Sequence, residues 1–150
     1  MSNNFAALET LLGYKFQNLR LLERAELNLA NAEILRLARR NDAMCVCISV
    51  AGQKADWMRV DTGCSAALQW VVSADKSRAL RETSIGATSG NLRHIHADVQ
   101  LGSTRLEAVR AGLHTRQIFS GEAGLLGNGI LSKFTVTIDA VKNQLVLAMK

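Results

Sequence analysis

From Ala43 onward the chain is a succession of short apolar runs cut by glycine and polar turns, with no proline anywhere. Residues 45–50 are β-rich, residues 51–54 make a turn, and residues 56–60 return as a second strand. Residues 66–72 continue as an apolar strand. A second hairpin follows, with a way in over 81–87, a polar tip near Gly90 and a way out over 92–101 that alternates at Ile95, Ala97, Val99 and Leu101. Strands are expected again at 105–113, 135–139 and 144–149, the last two joined by a turn at 140–143. Many short strands with turns between them suggest a β-sandwich or barrel.

Upstream the period differs. Phe5, Leu8, Leu11 and Leu12 recur at helical spacing, as do Leu19, Leu22, Ala25 and Leu29. Ile34, Leu35, Leu37 and Ala38 continue that pattern, and Arg39-Arg40-Asn41-Asp42 ends it. The expectation is an N-terminal helical segment over 1–42, of two or three short amphipathic helices, followed by a mainly β domain over 43–150.

A chain of 150 residues has room for one sizeable core. No run approaches 18 apolar residues, so no membrane span is expected. The first residues lack a basic region followed by an apolar run, so no signal peptide is expected either. The net charge of +5 is spread along the chain and aromatic residues are only 5%, which argues against a nucleic-acid partner. Of the three cysteines, Cys45 and Cys47 are two apart on a strand and so share a face; Cys64 stands alone. That spacing does not complete a zinc site, even with His94, His96 and His114 in view, and neither metal nor cofactor is expected. The odd cysteine count and the lack of a leader favour a reducing, cytoplasmic setting.

The chemistry concentrates in Val60-Asp61-Thr62-Gly63-Cys64-Ser65. A carboxylate, a hydroxyl and a glycine follow directly on an apolar strand. Without a Cβ, Gly63 lets backbone N–H groups come close to the acid. Taken alone, the tripeptide is also an ordinary turn, since Asp and Gly favour turns for local reasons.

Two other stretches change its standing. One is the mid-chain hairpin with its tip at Ala87, Thr88, Ser89, Gly90 and Asn91. The other is Leu125-Leu126-Gly127, followed by a short helical run at 130–134. In this order the three resemble the retropepsin-like aspartic proteases, the single-lobed retroviral type. The resemblance covers residues 46–147. It implies a closed β-barrel lobe with a short C-terminal helix, and an activity: hydrolysis of a peptide bond by a homodimer. Asp61 from each subunit would be catalytic, with one carboxylate activating water and the other polarising the carbonyl. Thr62, Gly63, Cys64 and Ser65 would support the active-site loop. Leu125, Leu126 and Gly127 would thread beside it, and residues 87–91 would form a flap over the peptide. Two departures stand out. Cys64 occupies a position usually held by Ala or Ser, and the flap tip is polar. Both leave room for a non-catalytic peptide-binding or scaffold domain on the same fold. Residues 11–25 also resemble the opening helix of ribonuclease III domains, but the acidic signature of that enzyme is missing from the rest of the chain.

Overall fold

The structure is a computed structural model that describes residues 31–73 and 93–150. It contains β1 (Glu33–Arg40), β2 (Ala43–Val50), β3 (Asp56–Asp61), β4 (Leu68–Val71), β5 (Arg93–Leu101) and β6 (Thr104–His114). These are followed by β7 (Gly124–Gly127), a single-turn helix α1 (Asn128–Leu131), β8 (Phe134–Asp139) and β9 (Gln144–Met149). Residues Ala32–Lys150 make one compact unit.

Neighbouring strands run in the order β3-β7-β4-β6-β5-β2, and β2 pairs back onto β3. Those six strands therefore close a barrel, which removes the edges an open sheet would expose. The closure depends on β2. One of its edges pairs with β3, at Cys45–Ile48 against Arg59–Asp56. Its other edge is shared between β1 at its start and β5 at Ser49 and Val50. From β1 the sheet extends outward through β9 to β8.

Alternation places the core. Val46, Ile48 and Val50 of β2 point inward, as do Ile95, Ala97, Val99 and Leu101 of β5 and Val109, Ala111 and Leu113 of β6. Met58, Leu68, Trp70 and Leu126 join the same cluster. Leu35, Leu37, Leu145, Leu147, Ile130, Leu131 and Phe134 extend it beneath the outer strands. Full burial of such a side chain contributes about 1.5–3 kcal/mol, so the β hairpins are held mainly by their shared interior.

One expectation is corrected. Residues 33–40 are a strand, not the end of a helix. Leu35 and Leu37, two apart, are the buried pair, while Ile34 is 58% exposed. That is a period of two, and the partners that impose it are β2 on one edge and β9 on the other. The turn that follows, Asn41-Asp42, has φ of 44° and 58° at its two central residues. Positive φ at both is what a two-residue hairpin turn with the right twist requires, and Asn and Asp tolerate it. Glu33 pins the start of the strand by accepting hydrogen bonds from the Ser103 backbone at 3.0 Å and from the Ser103 and Thr104 hydroxyls.

The other strands expected within the described residues are present; the helical run expected at 130–134 is displaced, since α1 spans Asn128–Leu131 and Phe134 already opens β8. The helices expected over residues 5–30 lie outside the described residues, as do the way into the second hairpin over 81–87 and its tip. Among the described residues no helix is long and apolar enough to cross a membrane.

Candidate active site

Asp61 is the last residue of β3. Along β3, Met58 faces the core, so Arg59 and Asp61 share the opposite face. The chain turns immediately after Asp61, and the turn folds back onto the carboxylate. Asp61 Oδ1 accepts the Gly63 N–H at 2.9 Å and the Cys64 N–H at 3.2 Å. The Cys64 N–H also reaches the Asp61 backbone carbonyl at 3.3 Å. Two backbone donors thus fix one carboxylate oxygen. Thr62, Gly63 and Ser65 are exposed; Asp61 and Cys64 are half-buried.

The second motif lies beside the first. Strand β7 inserts between β3 and β4, parallel to β3 with Asp61 opposite Gly127 and antiparallel to β4 with Leu126 opposite Leu68. Leu126 is fully buried in the barrel; Leu125, opposite Arg59, is half-buried on the face that carries Asp61. Beyond Gly127 the backbone is tied to the turn. The Asn128 N–H donates to the Cys64 carbonyl at 2.7 Å, the Gly129 N–H to Ala66 at 3.2 Å and the Gly127 N–H to Ala67 at 3.0 Å. A Cβ on Gly127 would sit 2.1 Å from the Ala66 carbonyl oxygen, so only glycine allows this approach. The positions expected to form the second supporting loop, Leu125, Leu126 and Gly127, are therefore packed against the turn that holds Asp61. The expected flap positions Ala87, Thr88, Ser89, Gly90 and Asn91 lie outside the described residues.

A second cluster was not expected from the sequence. The loop between β6 and β7 folds over the Arg59 face, and Glu122 holds Arg59 with two 2.8 Å contacts, Nε to Oε2 and Nη2 to Oε1. The Phe119 ring centroid lies 3.5 Å from the guanidinium carbon. Asn41 in the β1–β2 turn donates to the Ser120 carbonyl at 2.7 Å, and Arg40 donates to Gly121 at 3.3 Å while lying over the Trp57 ring. Glu122 is 3% exposed and is the single buried charged residue among those described. The hydrogen bonds from Arg59 hold its carboxyl below the usual range, and the same bonds raise Arg59. Cys45, opposite Arg59 on β2, is fully buried outside the main core, and burial pushes its thiol up. A neutral, covered thiol is chemically quiet. The shared strand face of Arg59 and Asp61 is the one trace of this cluster in the sequence; nothing there marks Glu122.

No protein-family profile matches the chain, and no curated protein matches it by sequence. Solved structures do. A crystal structure of a retropepsin-like aspartic protease from Rickettsia conorii superposes with a TM-score of 0.51 and 18% identity, over 79% of this chain and 90% of that one. The chain has a retropepsin-like fold. In this retropepsin-like lobe the six-strand barrel, the threaded strand β7 and the short helix α1 are the elements that surround Asp61.

Proposed function

We propose that the protein is an aspartic endopeptidase that works as a homodimer, each subunit supplying one Asp61. The observation that carries this reading is the pairing of Asp61 with Gly127 across parallel strands, with the carboxylate held by two backbone N–H donors on a retropepsin-like barrel. One lobe offers one such carboxylate, and the reaction needs two. Brought together about a two-fold axis, two carboxylates a few ångströms apart share a proton, because they cannot both ionise readily. The ionised one takes a proton from water as the oxygen attacks the peptide carbonyl. The protonated one donates to the carbonyl oxygen, and a proton then passes to the departing amine. The hydrogen bonds from Gly63 and Cys64 keep one oxygen of each Asp61 in place, leaving the other for chemistry. Thr62, exposed next to Asp61, is suited to brace the two turns against each other.

Purified protein is expected to be dimeric by solution mass and to cleave peptides, and Asp61→Asn is expected to lower cleavage by about 10³-fold or more with the fold retained. A strict monomer at all concentrations would sink this reading, because it cannot bring two Asp61 residues together. A dimer that binds peptides as Asp61→Asn does, and cleaves none, would instead indicate a peptide-binding or scaffold domain.

A further inference from the structure

A recess of about 450 Å³ opens beside the Asp61 turn. Ser65, Ala66, Gln69, His94, Arg110 and Gly112 are among the residues that line it. The strand register assembles it. His94 on β5 is opposite Gly112 on β6, and Gly112 is opposite Gln69 on β4. Arg110 lies two residues before Gly112 and therefore on the same face. Gly112 makes the space: a Cβ there would sit 2.4 Å from Gln69 Oε1.

The recess is polar in one sense only. Among the described residues no acidic residue lines it. The Nδ1 atom of His94 is buried and has no hydrogen-bond partner among the described residues. Arg110 is exposed and forms no ion pair among the described residues. The amide oxygen of Gln69 is already taken, accepting from His114 Nε2 at 2.6 Å. An amide oxygen cannot donate, so His114 supplies that proton. What the recess offers a ligand is the Arg110 guanidinium, a fixed positive charge with no counter-charge among the described residues.

We propose that this recess is a specificity pocket for an anionic side chain, the carboxylate of an Asp or Glu in the bound peptide. Arg110 supplies the charge-assisted hydrogen bond. The assignment rests on the peptide-cleaving reading of the Asp61 turn, because Ser65, four residues after Asp61, lines the recess together with Ala66 and Gly129, which are hydrogen-bonded to each other. An extended peptide presents alternate side chains to one wall, so one position of the substrate enters here.

The test uses the full-length chain and eight-residue fluorescein-labelled peptides that are identical except for Asp, Asn or Lys scanned through each position. Cleavage by the wild type is expected to favour Asp over Asn by about ten-fold in kcat/KM at one fixed position, the size of one charge-assisted contact. Arg110→Glu is expected to reverse the order at that position, favouring Lys, and to leave preferences elsewhere as they were. An Asp preference that persists in Arg110→Glu, or no positional preference in a protein that cleaves the set, would overturn the pocket. Should the wild type cleave nothing, the same peptides decide the matter by fluorescence polarisation: Asp-dependent binding that Arg110→Glu abolishes upholds the pocket while the proteolytic reading falls, and binding indifferent to Asp removes the pocket as well.

Discussion

Arg59 precedes Asp61 by two residues, grips Glu122 with two N–H groups along one edge of its guanidinium and lies under Phe119, whereas Arg110, lining the recess beside Ser65, is exposed and meets no carboxylate among the described residues. The two residues are the same chemical group on neighbouring parts of one barrel, and they differ in where the counter-charge comes from. The partner of Arg59 is built into the chain, so its charge fastens the β6–β7 loop to the strand that ends in Asp61. Arg110 has no such partner among the described residues, and its charge stays available to something arriving from outside. A buried ion pair of the first kind does not by itself make a protein more stable than a well-packed apolar pair would, but breaking it leaves a charge stranded. The exposed arginine contributes little to the fold and can be altered freely.

The comparison is open to direct attack. The largest effect is expected from Glu122→Ala, which strands Arg59 beneath Phe119. A loss of about 3 kcal/mol in unfolding free energy by denaturant titration is expected, and a loss below about 1 kcal/mol would mean that the pair contributes no more than a surface contact.

Acidification does the same thing reversibly and to a smaller extent. The folded-state pKa of Glu122 lies below the ordinary 4.5 because Arg59 donates to its carboxylate. The unfolded chain therefore takes up this proton first as the pH drops. The stability from the pair is fully present above about 4.5 and declines as the pH falls through the lower folded value. Melting temperatures from pH 7 to pH 3 are expected to fall more steeply for the wild type than for Glu122→Gln, and parallel curves would contradict the assignment.

The smallest effect is expected from Arg110→Gln, within about 0.5 kcal/mol of the wild type in the same titration. A larger loss would mean that Arg110 is a structural residue after all.

How much of this was legible beforehand depends on the range over which each feature is determined. The β2–β3 hairpin announces itself locally, through alternating apolar residues and the Ala51-Gly52 turn, and β7 through two leucines and a glycine. At strand β1, Ile34, Leu35, Leu37 and Ala38 fit both a helical stripe and a strand. The edges offered by β2 and β9 decide between the two, and no window of the sequence contains them. The Asn41-Asp42 pair did carry the signal of a tight hairpin. Arg59 and Glu122 are 63 residues apart and each is unremarkable where it stands. The recess is similar: Gly112, His94 and Gln69 come together only through the register of three strands.

The hydrogen bonds from Asn128 and Gly129 to the carbonyls of Cys64 and Ala66 have a consequence in time as well as in space. A chain leaving the ribosome presents Asp61 early and the strand that backs it late. A nascent protein that has reached only the end of β6 already carries the carboxylate, but its turn has no β7 behind it and its barrel is still open. Contacts between distant segments form last, because closing the loop between them costs entropy that only the finished barrel offsets. The turn around Asp61 therefore takes its final shape as one of the closing events of synthesis, and a half-made chain carries the acid in an unfinished setting.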